Sequence, residues 1–136
     1  MAHNGWVAGA GGHPDAEGDT DSESIFQEIM DTVERYQHSG RIRGRFPALK
    51  KAINQIFSTY SGTIKLNLLI SDGNMLYVFH HYPEKPIFML RRSKIYGNAT
   101  LFSTRKLSDE EWEEIPPDRL LAINKGEIEI FSNPIN

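Results

Sequence analysis

Thr63-Ile64-Lys65-Leu66-Asn67-Leu68-Leu69-Ile70-Ser71-Asp72-Gly73-Asn74-Met75-Leu76-Tyr77-Val78-Phe79-His80-His81-Tyr82 is the stretch on which the fold turns. Ile64, Leu66, Leu68 and Ile70 alternate with Thr63, Lys65 and Asn67, and only Leu69 breaks the pattern. That alternation predicts a half-buried strand over Thr63–Ile70. Ser71-Asp72-Gly73-Asn74 is a hairpin turn. Met75–Tyr82 returns as a strand whose two faces are both largely apolar, the pattern of a strand buried on both sides. His80 and His81 are adjacent there, so their rings point to opposite faces.

Outward toward the N-terminus the period changes from two to 3.6. Thr20-Asp21-Ser22-Glu23 reads as a capping box, and Ile25, Phe26, Ile29, Met30, Val33 and Tyr36 follow as one apolar stripe. Ser39-Gly40 stops that helix. A second helix carries Pro47 in its first turn and the stripe Leu49, Ala52, Ile53, Ile56, Phe57 and Tyr60. Ser61-Gly62 ends it. Ala8–Gly12 reads as a mobile loop, and Asn4-Gly5 before it is a turn signal. Toward the C-terminus, Ile87–Leu90 and Ala99–Ser103 read as strands. Ser108–Glu114 reads as one acidic helical turn with Trp112 as its anchor, closed by Pro116-Pro117. Arg119–Ile123 and Glu127–Phe131 form a last hairpin. Two helices followed by antiparallel hairpins make an α+β chain, read as a single domain over 1–136.

Composition narrows the function. The chain has 136 residues, a net charge of −3 and no cysteine. Disulfides, thiolate metal sites and a cysteine nucleophile of its own are therefore excluded. The mild negative charge argues against nucleic acid and anionic membrane as partners. No apolar run approaches the roughly 18 residues of a membrane span, and the N-terminus lacks a secretion-signal pattern. A cytoplasmic protein is expected. The five histidines show no metal-ligand spacing and no phosphate-binding glycine motif follows a strand, so neither metal nor cofactor is expected. Arg41, Arg43, Arg45, Lys50 and Lys51 read as a solvated connector and helix face. A small nucleic-acid-binding protein would rest on that cluster alone, which has no aromatic platform for bases.

Two motifs rise above this background. In Ala2-His3-Asn4-Gly5-Trp6, an Asn carboxamide and the next Gly N–H supply two donors for one developing oxyanion. In Thr20-Asp21-Ser22-Glu23, Asp21 opens a helix, where the dipole favours an anion suited to a substrate ammonium. Each alone reads as a plain turn or a helix start.

Together with Leu66-Asn67-Leu68-Leu69-Ile70-Ser71-Asp72-Gly73 and Trp112-Glu113-Glu114-Ile115-Pro116, in this order, they resemble the class II glutamine amidotransferases. The resemblance runs from Ala2 to about Phe131. It implies an N-terminal-nucleophile hydrolase fold, an αββα sandwich of antiparallel sheets with packed helices. It implies glutamine side-chain hydrolysis by an N-terminal cysteine whose α-amine is the base, with ammonia released from a glutamyl thioester. It assigns Asn4 and Gly5 to the oxyanion hole and Asp21 to the α-amino group of glutamine, with no metal or cofactor. The family's cysteine and its carboxylate clamp lie upstream of His-Asn-Gly. The expectation is therefore a domain incomplete at its N-terminus and inactive alone, binding glutamine only once the upstream segment is supplied. Exposed sheet edges then imply self-association or a separate N-terminal half as partner. A non-catalytic interaction subunit that kept the fold is the alternative.

Overall fold

The computed structural model describes residues 1–18, 20–92, 97 and 99–135. Their elements run β1 (Ala2–Val7), α1 (Asp21–His38), α2 (Arg45–Thr59), β2 (Ile64–Ser71), β3 (Leu76–His81), β4 (Phe88–Arg92), β5 (Ala99–Ser103), β6 (Glu113–Glu114), β7 (Leu120–Asn124) and β8 (Glu127–Phe131). This is the expected α+β class, with two sheets and two helices. The chain divides into two compact units, one of Met1–Asn4 with Leu66–Pro134 and one built on Gly5–Lys65.

The first unit is a sandwich of two sheets. One sheet has the order β1-β2-β3-β7-β8, the other β5-β4-β6. The pairings β2–β3, β3–β7, β7–β8, β4–β5 and β4–β6 are all antiparallel. In the β2–β3 hairpin, Asp72 Oδ1 accepts from the backbone N–H of Asn74 and of Met75 at 2.9 and 2.8 Å, which fixes the turn. The register then sets Asn67 opposite His80 and Leu69 opposite Val78. Between the sheets, Val78, Leu121 and Ile123 meet Ile87, Met89 and Ile115, with Leu69, Leu76, Phe102 and Ile128 packed around them. Lys125 and Gly126 carry positive φ angles of 47° and 80° at the tip of the β7–β8 hairpin, where a two-residue turn needs them.

The second unit holds the helix pair. Thr20 caps α1 by accepting from Glu23 N–H at 3.3 Å, and the Glu23 carboxylate accepts from Thr20 in return. That is the expected capping box. Apolar stripes on the two helices are buried at Ile25, Ile29 and Val33, and at Leu49, Ile53 and Ile56. Tyr60, read as part of the second helix, instead caps its end, and its hydroxyl donates to Glu28 of α1. Gly62 lies against Ala8: a Cβ added there would stand 2.7 Å from the Ala8 Cβ. That close approach lets the Ala8 N–H donate to the Thr63 carbonyl at 2.9 Å, seating the chain after β1 beside the start of β2.

Three local expectations change. Asn4-Gly5 is not a turn. Both residues run through β1, with Gly5 extended at φ 159°, because sheet pairing overrides a local turn preference. Ser108–Glu114 is not a helical turn. It is a bend leading into β6, held by the Ile115 N–H donating to the Ile87 carbonyl at 2.9 Å. Five acidic side chains in so short a run oppose a helical turn, while Trp112 is buried at 7% exposure as expected. Finally, β2 is buried on both faces, not one: Leu66, Asn67 and Leu68 all fall at 1% exposure or less.

Candidate functional site

Asn4 and Gly5 are consecutive residues of β1. Asn4 is exposed, and with Ala2 and His3 it lines a cleft of about 300 Å³. The rest of the lining comes from β2 (Asn67, Leu69), from Ile87 just before β4, and from Phe102, Ser103 and Thr104 at the end of β5. All of it lies within the first unit. Gly5 begins the second unit, in the same unit as Asp21. Asp21 is the first residue of α1, behind the Thr20 cap, and is half-buried. Its Oδ2 accepts from the Val7 N–H at 3.1 Å, and its Oδ1 lies 3.5 Å from the Ser22 hydroxyl. A helix N-terminus and a strand N–H therefore fix a carboxylate two residues along β1 from Gly5. Such a group can take an ammonium ion as its third partner.

The sequence reading did not single out the polar pair Asn67 and His80, of which Asn67 lines the cleft. Asn67 and His80 are 1% and 2% exposed. Asn67 Nδ2 donates to the Lys85 carbonyl at 2.7 Å, and Asn67 Oδ1 lies 2.7 Å from His80 Nδ1. The Lys85 carbonyl only accepts, so it fixes which end of the Asn67 amide carries nitrogen. Oδ1 must then accept, and His80 carries its proton on Nδ1. Burial pushes the His80 pKa down. The nearby Glu114 and Asp118 act against that shift and His81 adds to it. The signal for this pair was Leu69, the one apolar residue on the face that Asn67 shares.

Around the sandwich rim, His81 Nδ1 pairs with Asp118 Oδ1 at 2.5 Å. Arg92 holds Glu110 through two guanidinium contacts, the Nε one at 3.0 Å. Those bonds and the Ser108 hydroxyl keep the exposed Glu110 below the usual carboxylate range. Part of the acidic run is thus tied to β4. For cations, one trio among the described residues, His13, Asp15 and Asp31, brings ligand atoms within 4.8 Å of one another. Both His13 ring nitrogens are already engaged there, Nε2 with Asp31 at 3.1 Å and Nδ1 by the Asp15 N–H at 3.2 Å. Among the described residues no helix is long and apolar enough to cross a membrane.

Comparison with solved structures finds the same fold. A predicted glutamine amidotransferase from Pseudomonas aeruginosa superposes with a TM-score of 0.71 at 23% identity, over 93% of this chain and 58% of its own. A glutamine aminotransferase class-II domain protein from Silicibacter pomeroyi superposes with a TM-score of 0.65 at 20% identity, over 99% of this chain and 67% of its own. The chain thus spans less than two thirds of the length of the first of these. No curated protein matches it. The family model for glutamine amidotransferases class-II matches residues 1–104, which include β1, both helices, the β2–β3 hairpin and every residue discussed above as an oxyanion donor or ammonium acceptor. By that match over most of its length, the chain belongs to the class II glutamine amidotransferases.

Proposed function

We propose that this chain supplies the substrate-holding part of a glutaminase site. In this reading the Asn4 carboxamide and the Gly5 N–H donate to the oxyanion formed at the glutamine Cδ, and Asp21 accepts from the glutamine α-ammonium. The observation that carries the reading is the Val7 N–H bond to Asp21, which ties the acid to the strand residues that follow Gly5. The 136 residues contain no cysteine, so the attacking thiol has to come from polypeptide outside them. An amine base takes the proton of that thiol as the resulting thiolate adds to the side-chain carbonyl, then passes the proton to the leaving nitrogen, and ammonia departs. Water then cleaves the thioester to glutamate. The chain alone should release no ammonia from glutamine above a heat-killed control. Ammonia release by the chain alone would refute the assignment of the nucleophile.

A second reading, a non-catalytic interaction subunit, draws on β8. It lies at the edge of the five-stranded sheet and leaves Ile130 and Phe131 42% and 45% exposed. An apolar edge strand favours pairing with a second copy of the chain. Light scattering coupled to size-exclusion chromatography tests it. A dimer that dissociates in Ile130→Lys supports that role, and a monomer at all concentrations excludes it.

A further inference from the structure

The cleft beside Asn4 has a mixed lining, apolar at Leu69, Ile87 and Phe102 and polar at His3, Asn4 and Ser103. Asn67 also lines it, and it is an almost fully buried carboxamide. A buried amide is costly unless every group on it is engaged. Two of its three engagements are built in. Lys85 O takes one Nδ2 hydrogen, and His80 supplies a donor to Oδ1. The second Nδ2 hydrogen has no acceptor among the described residues. The amide cannot flip, because that would set its oxygen against the Lys85 carbonyl. His80 itself is buried and has no part in the oxyanion or ammonium roles.

We infer that Asn67 contacts the substrate, donating its remaining Nδ2 hydrogen to the carboxamide oxygen of glutamine in the cleft that Asn4 lines, and that His80 is the residue that positions it. The inference rests on the proposed glutamine site and deepens it. A short aliphatic chain ending in an amide suits a cleft lined by both apolar side chains and carboxamides. The carboxamide oxygen accepts two hydrogen bonds and the oxyanion formed from it accepts a third, so Asn67 can join Asn4 and Gly5 on that oxygen. His80 acts through Asn67. With its Nδ1–H on Oδ1, the carboxamide plane is held and the Nδ2 donor stays aimed in one direction.

The test is a titration with glutamine, followed by NMR, of the isotopically labelled 136-residue chain supplied with the upstream segment, whose nucleophilic cysteine is replaced by alanine so that glutamine is not consumed. The side-chain NH2 signals of Asn67 should shift along with the backbone amides of Gly5 and Asp21. Asn67→Ala should weaken binding about fivefold or more. If Gly5 and Asp21 respond to saturation while the Asn67 NH2 signals stay fixed, the Asn67 role is overturned and the proposed function stands. If Asn67 responds while Gly5 and Asp21 do not, the Asn67 role stands and the Asp21 assignment falls. No response anywhere overturns both. For His80, the ring nitrogens should show the Nδ1–H tautomer. His80→Gln retains a donor for Oδ1 and should keep affinity within about twofold, whereas His80→Leu should lose as much as Asn67→Ala. Equal affinities for His80→Gln and His80→Leu would remove the positioning role. The measurements on the unmutated chain need no variant to fold.

Discussion

Removing His80 and Asn67 singly and together should reveal their coupling as a stability difference. His80→Phe keeps a buried ring of similar size but removes the donor to Asn67 Oδ1, leaving one buried acceptor unpaired. That costs about 1–3 kcal/mol. Asn67→Ala leaves two groups unpaired, the His80 Nδ1–H and the Lys85 carbonyl, so its cost is larger, about 2–6 kcal/mol on the same basis. In the double variant only the Lys85 carbonyl is orphaned, because the groups that each single change strands are both gone. The double variant should therefore be more stable than the sum of the singles predicts, by about 2 kcal/mol or more, because two stranded groups at about 1–3 kcal/mol each are avoided. Urea unfolding followed by circular dichroism at pH 7.5 gives the three values, provided the m-values agree. Costs that add to within about 0.5 kcal/mol would show the two side chains to be uncoupled and the 2.7 Å contact to be without energetic weight.

Three further outcomes follow from the same geometry. Burial lowers the pKa of His80 in the folded state below its ordinary 6.5, so the unfolded chain takes up a proton first as pH falls. Stability should be full above about pH 6.5 and decline as pH drops through that value toward the folded pKa, with a shallower decline in His80→Phe; identical acid slopes in the two proteins would contradict this. Tyr60, pushed up to about 12 by burial and by its bond to the Glu28 carboxylate, keeps its proton after the unfolded chain has lost it, so stability should fall between about pH 10 and 12, and Tyr60→Phe should flatten that fall in an alkaline urea series. Gly62→Ala brings a methyl group to 2.7 Å from the Ala8 Cβ and should cost about 1–3 kcal/mol; Ala8→Gly in the same chain should recover most of the loss, and a lack of recovery would place the strain elsewhere.

Where local chemistry dictates structure, the sequence was legible. Thr20 and Glu23 form the box their spacing announces, and Asp72 turns the β2–β3 hairpin it was expected to turn. The motif order also led to the right family. What escaped was set by tertiary pairing. Asn4-Gly5 has the chemistry of a turn but pairs within a sheet, and the acidic run before Pro116 joins β4 as a short strand. Asn67 was hidden for a similar reason. Polar residues in an alternating strand read as solvent-facing, and only the second sheet, whose contact with the first involves Ile87, Met89 and Phe102, turns that face inward. His80 lies in a strand read as buried on both faces, but its pairing with Asn67, 13 residues away across the hairpin register, was not legible.

The central claim is that Asp21 receives the α-ammonium of glutamine. Calorimetric titration of the chain and of Asp21→Asn, each supplied with the upstream segment with its cysteine replaced by alanine, with glutamine and with glutaramic acid, its analogue lacking the α-amino group, tests it most directly. The unmutated chain should prefer glutamine by about 10-fold or more, the equivalent of a charge-assisted hydrogen bond of roughly 1.5–3 kcal/mol. Asp21→Asn should abolish that preference while leaving the weak binding of glutaramic acid unchanged. A preference that survives in Asp21→Asn, or equal binding of the two ligands by the unmutated chain, would contradict the claim.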